Sequence, residues 1–470
     1  MSLPDPALAE PAPAGPGTPA RSLAAGTRVL SVGIASTGVF TFAYLATASH
    51  VLSPRAYSRV SLCWAVMFVI LSVIYRPIEQ LLSRTIAERR AQGIHGHPLR
   101  VPAALQAGFA AAFLIAALLA RHPVEHGMFG GSTTLYWVLV IGVLAYAGSY
   151  FARGWLAGHQ AFPFYGALVF LESVSRFCFA LAVAVGIAHG LAPVALGMAV
   201  APFVSLSVMP FALPLIRGRV AGAPATEAAE TAEAGDASLT LRRGGAFAAS
   251  VVAIMLSEQT LMNAGVLVVA ASVGSTNLGG GLVGFVFNVM LIARAPLQLF
   301  QAVQTSILPH LTGLETRRDA AGVRRAVARI VAATGGFGLA VALGLLVVGP
   351  TAMGILLGHK GFHYGRFGLA AVGLGMGLHL IAGTFNQAAL ARGQAARAAA
   401  CWLVSAALFL AFQIVGLIGS RVTRVEVGYC GAAALLALLL SIVYLSGSDR
   451  AGGLGESCVA GGGVAGAEHG

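Results

Sequence analysis

The chain has 470 residues, 57% of them hydrophobic and only 10% charged, where a soluble domain carries about 25% charge to cover its surface. With a mean hydropathy of +0.82, this excludes a water-soluble enzyme, a fibrous chain and a disordered one, and leaves a polytopic membrane protein. The net charge of +12 rests almost wholly on arginine: Lys360 is the only lysine and no Ser or Thr follows it, which excludes a P-loop ATPase, and the arginines lie scattered between apolar spans rather than in a nucleic-acid-binding patch.

In chain order, residues 1–28 are rich in Pro and Ala with no apolar core of a signal peptide, and read as a disordered cytoplasmic tail. Twelve apolar runs follow, each near the ~20 residues a helix needs to cross a bilayer. They fall at about 29–50, 60–82, 101–120, 134–156, 162–188, 191–216, 245–271, 282–304, 328–349, 367–388, 397–420 and 426–446. Between the sixth and seventh, residues 217–244 carry Arg217, Arg219, Arg242 and Arg243 around Glu227, Glu230, Glu233 and Asp236, the composition of a cytoplasmic linker. The Gly-rich stretch 447–470 reads as a second disordered tail. The expected architecture is all-α: bundles of six helices over 29–216 and 245–446, around a central cavity.

With the N-terminus in the cytoplasm, nineteen arginines fall on that side. The opposite loops hold seven basic residues: Arg55, Arg59, Arg121, Lys360, Arg366, Arg421 and Arg424. This positive-inside bias places both termini in the cytoplasm. The halves also echo each other. Arg76-Pro-Ile-Glu-Gln80-Leu81-Leu82 in the second span matches Arg294-Ala-Pro-Leu-Gln298-Leu299-Phe300 in the eighth, and Leu156-Ala157-Gly158-His159-Gln160 after the fourth matches Leu390-Ala391-Arg392-Gly393-Gln394 after the tenth. Such repeats build many transporters, with the substrate site between them.

Local texture adds a resemblance. Leu52-Ser53-Pro54-Arg55-Ala56-Tyr57 after the first span, Glu79 to Ala87 at the end of the second, Ala152 to Gln160 followed by Glu172 and Arg176, and Ala293 to Pro296 running on to Ile307-Leu308-Pro309 are, as a set, similar to the multidrug/oligosaccharidyl-lipid/polysaccharide exporter superfamily. They most resemble its polysaccharide-flippase branch, over roughly residues 29–446. The resemblance implies a multi-pass protein of the cytoplasmic membrane that flips a polyprenyl-pyrophosphate-linked oligosaccharide by alternating access, for cell-envelope polysaccharide synthesis. The lipid-linked glycan and membrane lipid would be its partners, the chain would act as a monomer, and no cofactor is implied. The alternative is a proton- or sodium-coupled multidrug/cation antiporter of the same superfamily.

Six ionisable residues fall inside the spans, where burial is costly unless a partner or water is at hand: Arg76, Glu79, Glu172, Arg176, Glu258 and Arg294. A guanidinium binds phosphate oxygens bidentately, so Arg294, with Arg76 and Arg176, is expected to hold the pyrophosphate. Glu258, Glu172 and Glu79 are the candidates for ion coupling or counter-charge. Glu172 and Arg176 also have the i, i+4 spacing of a structural ion pair, and a bridge from Glu258 to an arginine is an equal alternative. His379 reads as a hydrogen-bonded core histidine, and His95 with His97 lacks a third ligand for a metal. The outer loops hold only Glu125 and Glu426, too little for the acid/base chemistry of a membrane glycosyltransferase or polymerase.

Overall fold

A computed structural model describes residues 19–91, 99–221, 237–274, 278–294, 296–297, 300, 320–358 and 361–459. His95, His97, residues 222–236 of the linker, Gln298, Leu299, residues 301–319, Lys360, and the ends 1–18 and 460–470 lie outside these residues.

Every described element is helical. In order they are α1 (Pro19–Val51), α2 (Pro54–Ile74), α3 (Arg76–Ala91), α4 (Arg100–Leu119), α5 (Thr133–Gly158), α6 (Phe162–Ala184), α7 (Leu191–Leu206), α8 (Met209–Ala221), α9 (Ala237–Val273), α10 (Leu282–Arg294), α11 (Ala320–Leu357), α12 (Arg366–Ala391), α13 (Ala395–Val415) and α14 (Arg421–Val459). In a bilayer each backbone N–H and C=O must be satisfied within its own segment, which is why long apolar runs take this form. Ten helices among the described residues are long and apolar enough to cross a membrane. The shorter apolar α10 and the helix α1 occupy the remaining two of the twelve expected positions.

Starts and breaks follow local chemistry. Ser53 caps α2, accepting from Ala56 N at 3.3 Å with Pro54 in the first turn, and Ser132 caps α5. The second span divides at Tyr75, just before Arg76 and Pro77, because Pro77 has no N–H and its ring disfavours α geometry at the preceding residue. The sixth divides at Ser207 and Val208, beside Pro210. Helices reach into stretches expected to be irregular: α1 starts at Pro19, α8 and α9 extend into 217–244, and α14 runs to Val459.

The same pairings recur in the two halves. The first and fifth helices pack together (α1 with α6, α9 with α13), as do the fourth and sixth (α5 with α7, α12 with α14) and the fifth and sixth (α6 with α7, α13 with α14). The third helix of each half, α4 or α11, is the most peripheral, with side chains such as Leu119 and Val347 facing outward. Contact between the bundles runs mainly through α2, against α9 and the turn Leu278–Gly281.

Candidate functional site

The densest charge cluster is built on α5 and α6. Tyr146, Ser149 and Arg153 lie on one face of α5, at the three- and four-residue spacing that stacks side chains along a helix. They converge on Glu172 of α6. Tyr146 Oη donates to Glu172 Oε1 at 3.1 Å, Ser149 Oγ to Oε2 at 3.2 Å, and the Arg153 guanidinium also donates to Oε2. Arg176, one turn on, lies 3.5 Å from Oε1 and donates to Tyr146 Oη at 2.9 Å. Its guanidinium stacks over Trp64 at 5.1 Å and Phe68 at 6.0 Å, and only 2% of the residue is exposed. The Glu172–Arg176 pair expected from spacing is therefore present, but Arg153 is the closer partner. Arg176, expected among the pyrophosphate ligands, is committed to Glu172, Tyr146 and two aromatic faces.

A second cluster adjoins the first through helix packing. A Cβ at Gly154 of α5 would come within 2.8 Å of Glu79 O, and one at Gly158 within 2.6 Å of Ile86 Cβ. These glycines let α3 lie directly on α5. Glu79 accepts from Tyr165 Oη at 2.9 Å and shares the field of Arg76 and Arg153. Arg76, at the break between α2 and α3, feels Glu258 of α9 as its main opposite charge, across the divide between bundles. Both residues are half-buried, and among the described residues neither makes a hydrogen bond or a close ion pair.

Arg294 stands apart in the second bundle. It donates to Met262 O at 2.9 Å and Asn263 Oδ1 at 2.7 Å, and stacks on the Phe287 ring at 4.5 Å. No carboxylate among the described residues lies within ion-pair distance. Arg76, Arg176 and Arg294 thus do not meet in one described cluster: two belong to the first bundle and one to the second. His379 is buried against Trp402 and Tyr429, with Tyr429 Oη 3.4 Å from its Nδ1. No group of three metal-ligating side chains occurs among the described residues.

Arg153 joins this candidate site although its place in the sequence, among the nineteen cytoplasmic arginines near the end of a span, does not single it out. Two signals pointed to it: it lies inside the apolar run 134–156, and it falls seven residues after Tyr146 and four after Ser149 on the same helical face.

No protein-family model matches the chain, and no curated protein matches it in sequence. Its fold is that of solved MATE transporters. A mutant of the Vibrio cholerae MATE transporter VcmN superposes with a TM-score of 0.59 at 15% identity, covering 92% of this chain and 97% of that one. Two conformations of a multidrug resistance MATE family transporter of the MOP superfamily also match. The inward-facing one gives 0.60 at 14% identity over 92% and 95% of the two chains, and the outward-facing one 0.61 at 16% over 92% and 96%. The all-helical, two-bundle fold expected from sequence is thus found. The neighbours carry the name of the multidrug branch rather than the expected polysaccharide-flippase branch.

Proposed function

We propose that the chain is an alternating-access membrane transporter of the multidrug/cation antiporter kind, coupled to a proton or sodium gradient. The observation that carries this reading is the Arg76–Glu258 pair. Two half-buried, opposite charges lie within electrostatic reach of each other from different bundles, with no hydrogen bond or close ion pair among the described residues, so a change in the relation of the bundles changes their interaction. Intramembrane charges left unsaturated in this way are the usual mark of an ion or substrate path. The fold supports the same reading, since inward- and outward-facing forms are both known among its solved neighbours. Glu258 is the coupling residue in this account, and Glu79 its counterpart in the first bundle. Glu172 holds the first bundle together.

Arg294 favours a second reading, the flipping of a polyprenyl-pyrophosphate-linked oligosaccharide. Among the described residues no carboxylate neutralises its guanidinium, which suits a phosphate and does not suit an organic cation. Arg76 would assist it. The comparisons lend this reading no support, and it rests on that residue alone.

Reconstitution into proteoliposomes separates the two. The antiporter reading expects a fluorescent organic cation to move against an imposed proton or sodium gradient, and that movement to stop in Glu258→Gln. Movement of a tagged polyprenyl-pyrophosphate glycan, lost in Arg294→Ala and unaffected by Glu258→Gln, would replace it with the second reading.

A further inference from the structure

The bundles meet through a buried polar knot that none of the intramembrane charges belongs to. It lies on the face bearing the ends of α1 and α11 and the starts of α2, α10 and α12. At its centre is Asn288 of α10, fully buried. Tyr57 of α2 donates its hydroxyl to Asn288 Oδ1 at 2.5 Å. The Asn288 amide Nδ2 faces Ser49 Oγ at 3.4 Å, Leu357 O at 3.5 Å and Tyr364 Oη at 3.4 Å. Ser49, near the end of α1, donates to Leu357 O in the second bundle. Ser58 Oγ accepts from Gly284 N at 3.0 Å. Ser49, Tyr57 and Ser58 come from the first bundle, while Gly284, Asn288, Leu357 and Tyr364 come from the second.

Steric fit holds the same place. A Cβ at Gly284 would lie 2.6 Å from Tyr57 Cδ1, so the close approach of α10 to α2 requires a glycine there. Phe285 stacks on Tyr364 at 4.5 Å and lies 5.3 Å from Phe362, closing an aromatic lid beside the knot. On the other side of the molecule α3 touches α9 only lightly.

The geometry points to a latch. The Asn288–Tyr57–Ser49 knot holds the two bundles shut on the face bearing residues 51–54, 278–281 and 361–365, and its release is the step that opens that face. The polar partners would otherwise be buried unpaired, so they must separate together into water or stay paired. This makes the contact a two-state element rather than a graded one. The inference rests on the alternating-access reading but does not need a substrate to be tested.

The test uses the full chain with its native cysteines replaced, spin-labelled at Arg55→Cys and Arg366→Cys, both exposed on the latched face. An Arg55→Cys/His189→Cys pair within the first bundle serves as control. Pulsed electron resonance should give one short distance for the parent pair. Asn288→Ala and Tyr57→Phe should each raise a longer-distance population roughly fivefold per hydrogen bond lost, with the control pair unchanged. If Asn288→Ala fails to fold, Tyr57→Phe, which removes one hydroxyl, decides. Unchanged distances, or equal changes in the control pair, would overturn the latch. Opening in a protein that transports neither substrate class would uphold the latch and sink the transport reading instead.

Discussion

Glu172 accepts three hydrogen bonds and pairs with Arg176, whereas Arg294 meets no carboxylate among the described residues, and the two residues are expected to answer substitution in opposite ways. Glu172→Gln leaves Arg153 and Arg176 buried without their shared charge. Breaking a buried pair in this way costs about 3–5 kcal/mol. Its thermal unfolding in detergent should fall well below that of the parent, and a variant as stable as the parent would show that the cluster is not structural. Arg294→Ala removes two hydrogen bonds from a half-buried site and should leave the protein folded and inserted. If a phosphate binds there, Arg294→Ala loses glycan transport and Arg294→Lys recovers only part of it, because an ammonium lacks the planar fork. Normal glycan transport by the alanine variant would remove Arg294 from the binding site. The sequence made the charges themselves legible, since each interrupts an apolar run. What it left hidden was the partnership: Arg153 and Glu172 lie nineteen residues apart on different helices, and only the packing of α5 on α6 brings them together.

Helix contacts depend on small residues that a hydropathy profile does not weigh. At Gly154 an added methyl would press on backbone, which cannot step aside as a side chain can. Gly154→Ala is therefore expected to cost ~1–3 kcal/mol and to shift Glu79 from Tyr165. Unchanged stability would mean that α3 does not rest on α5 as described. A second element-scale expectation concerns the π-helical turn Pro123–Met128. Glu125 there accepts from Thr133 and from Arg121 Nε at 3.2 Å, and these bonds hold its carboxyl below the usual carboxylate range. A lowered folded-state value means that the contribution is present above the usual range and lost as pH falls through the folded value. Glu125→Gln should lower the melting temperature near neutral pH and make no difference in acid, and a gap that persists in acid would contradict this. The twelve runs were legible because a helix in a bilayer has a fixed length. The division of the second span at Tyr75 was less so: Pro77 marked the place, but a proline inside a span can also leave a helix merely bent.

The two halves share their first–fifth, fourth–sixth and fifth–sixth pairings and the peripheral position of their third helices, although the third helix packs far more closely on the fourth in the second half. The short sequence echoes around Arg76 and Arg294, and around Gln160 and Gln394, fall in the second and eighth and after the fourth and tenth spans, the positions that such a repeat pairs. After the fourth and tenth spans both halves turn through a left-handed residue, Gln160 in one and, one position before the matching Gln394, Gly393 in the other. Orientation follows from arginine placement alone: reporter fusions in the 217–244 linker and at Gly447 should both read cytoplasmic, and an external signal at either would reverse the topology. The latched face would then be the outer one. The most direct test of the whole account measures coupling. Parent protein in sealed proteoliposomes, given an organic cation on one side, should drive a counter-movement of protons or sodium that Glu258→Gln abolishes. Passage of the cation with no ion movement, or ion movement undiminished in Glu258→Gln, would contradict it.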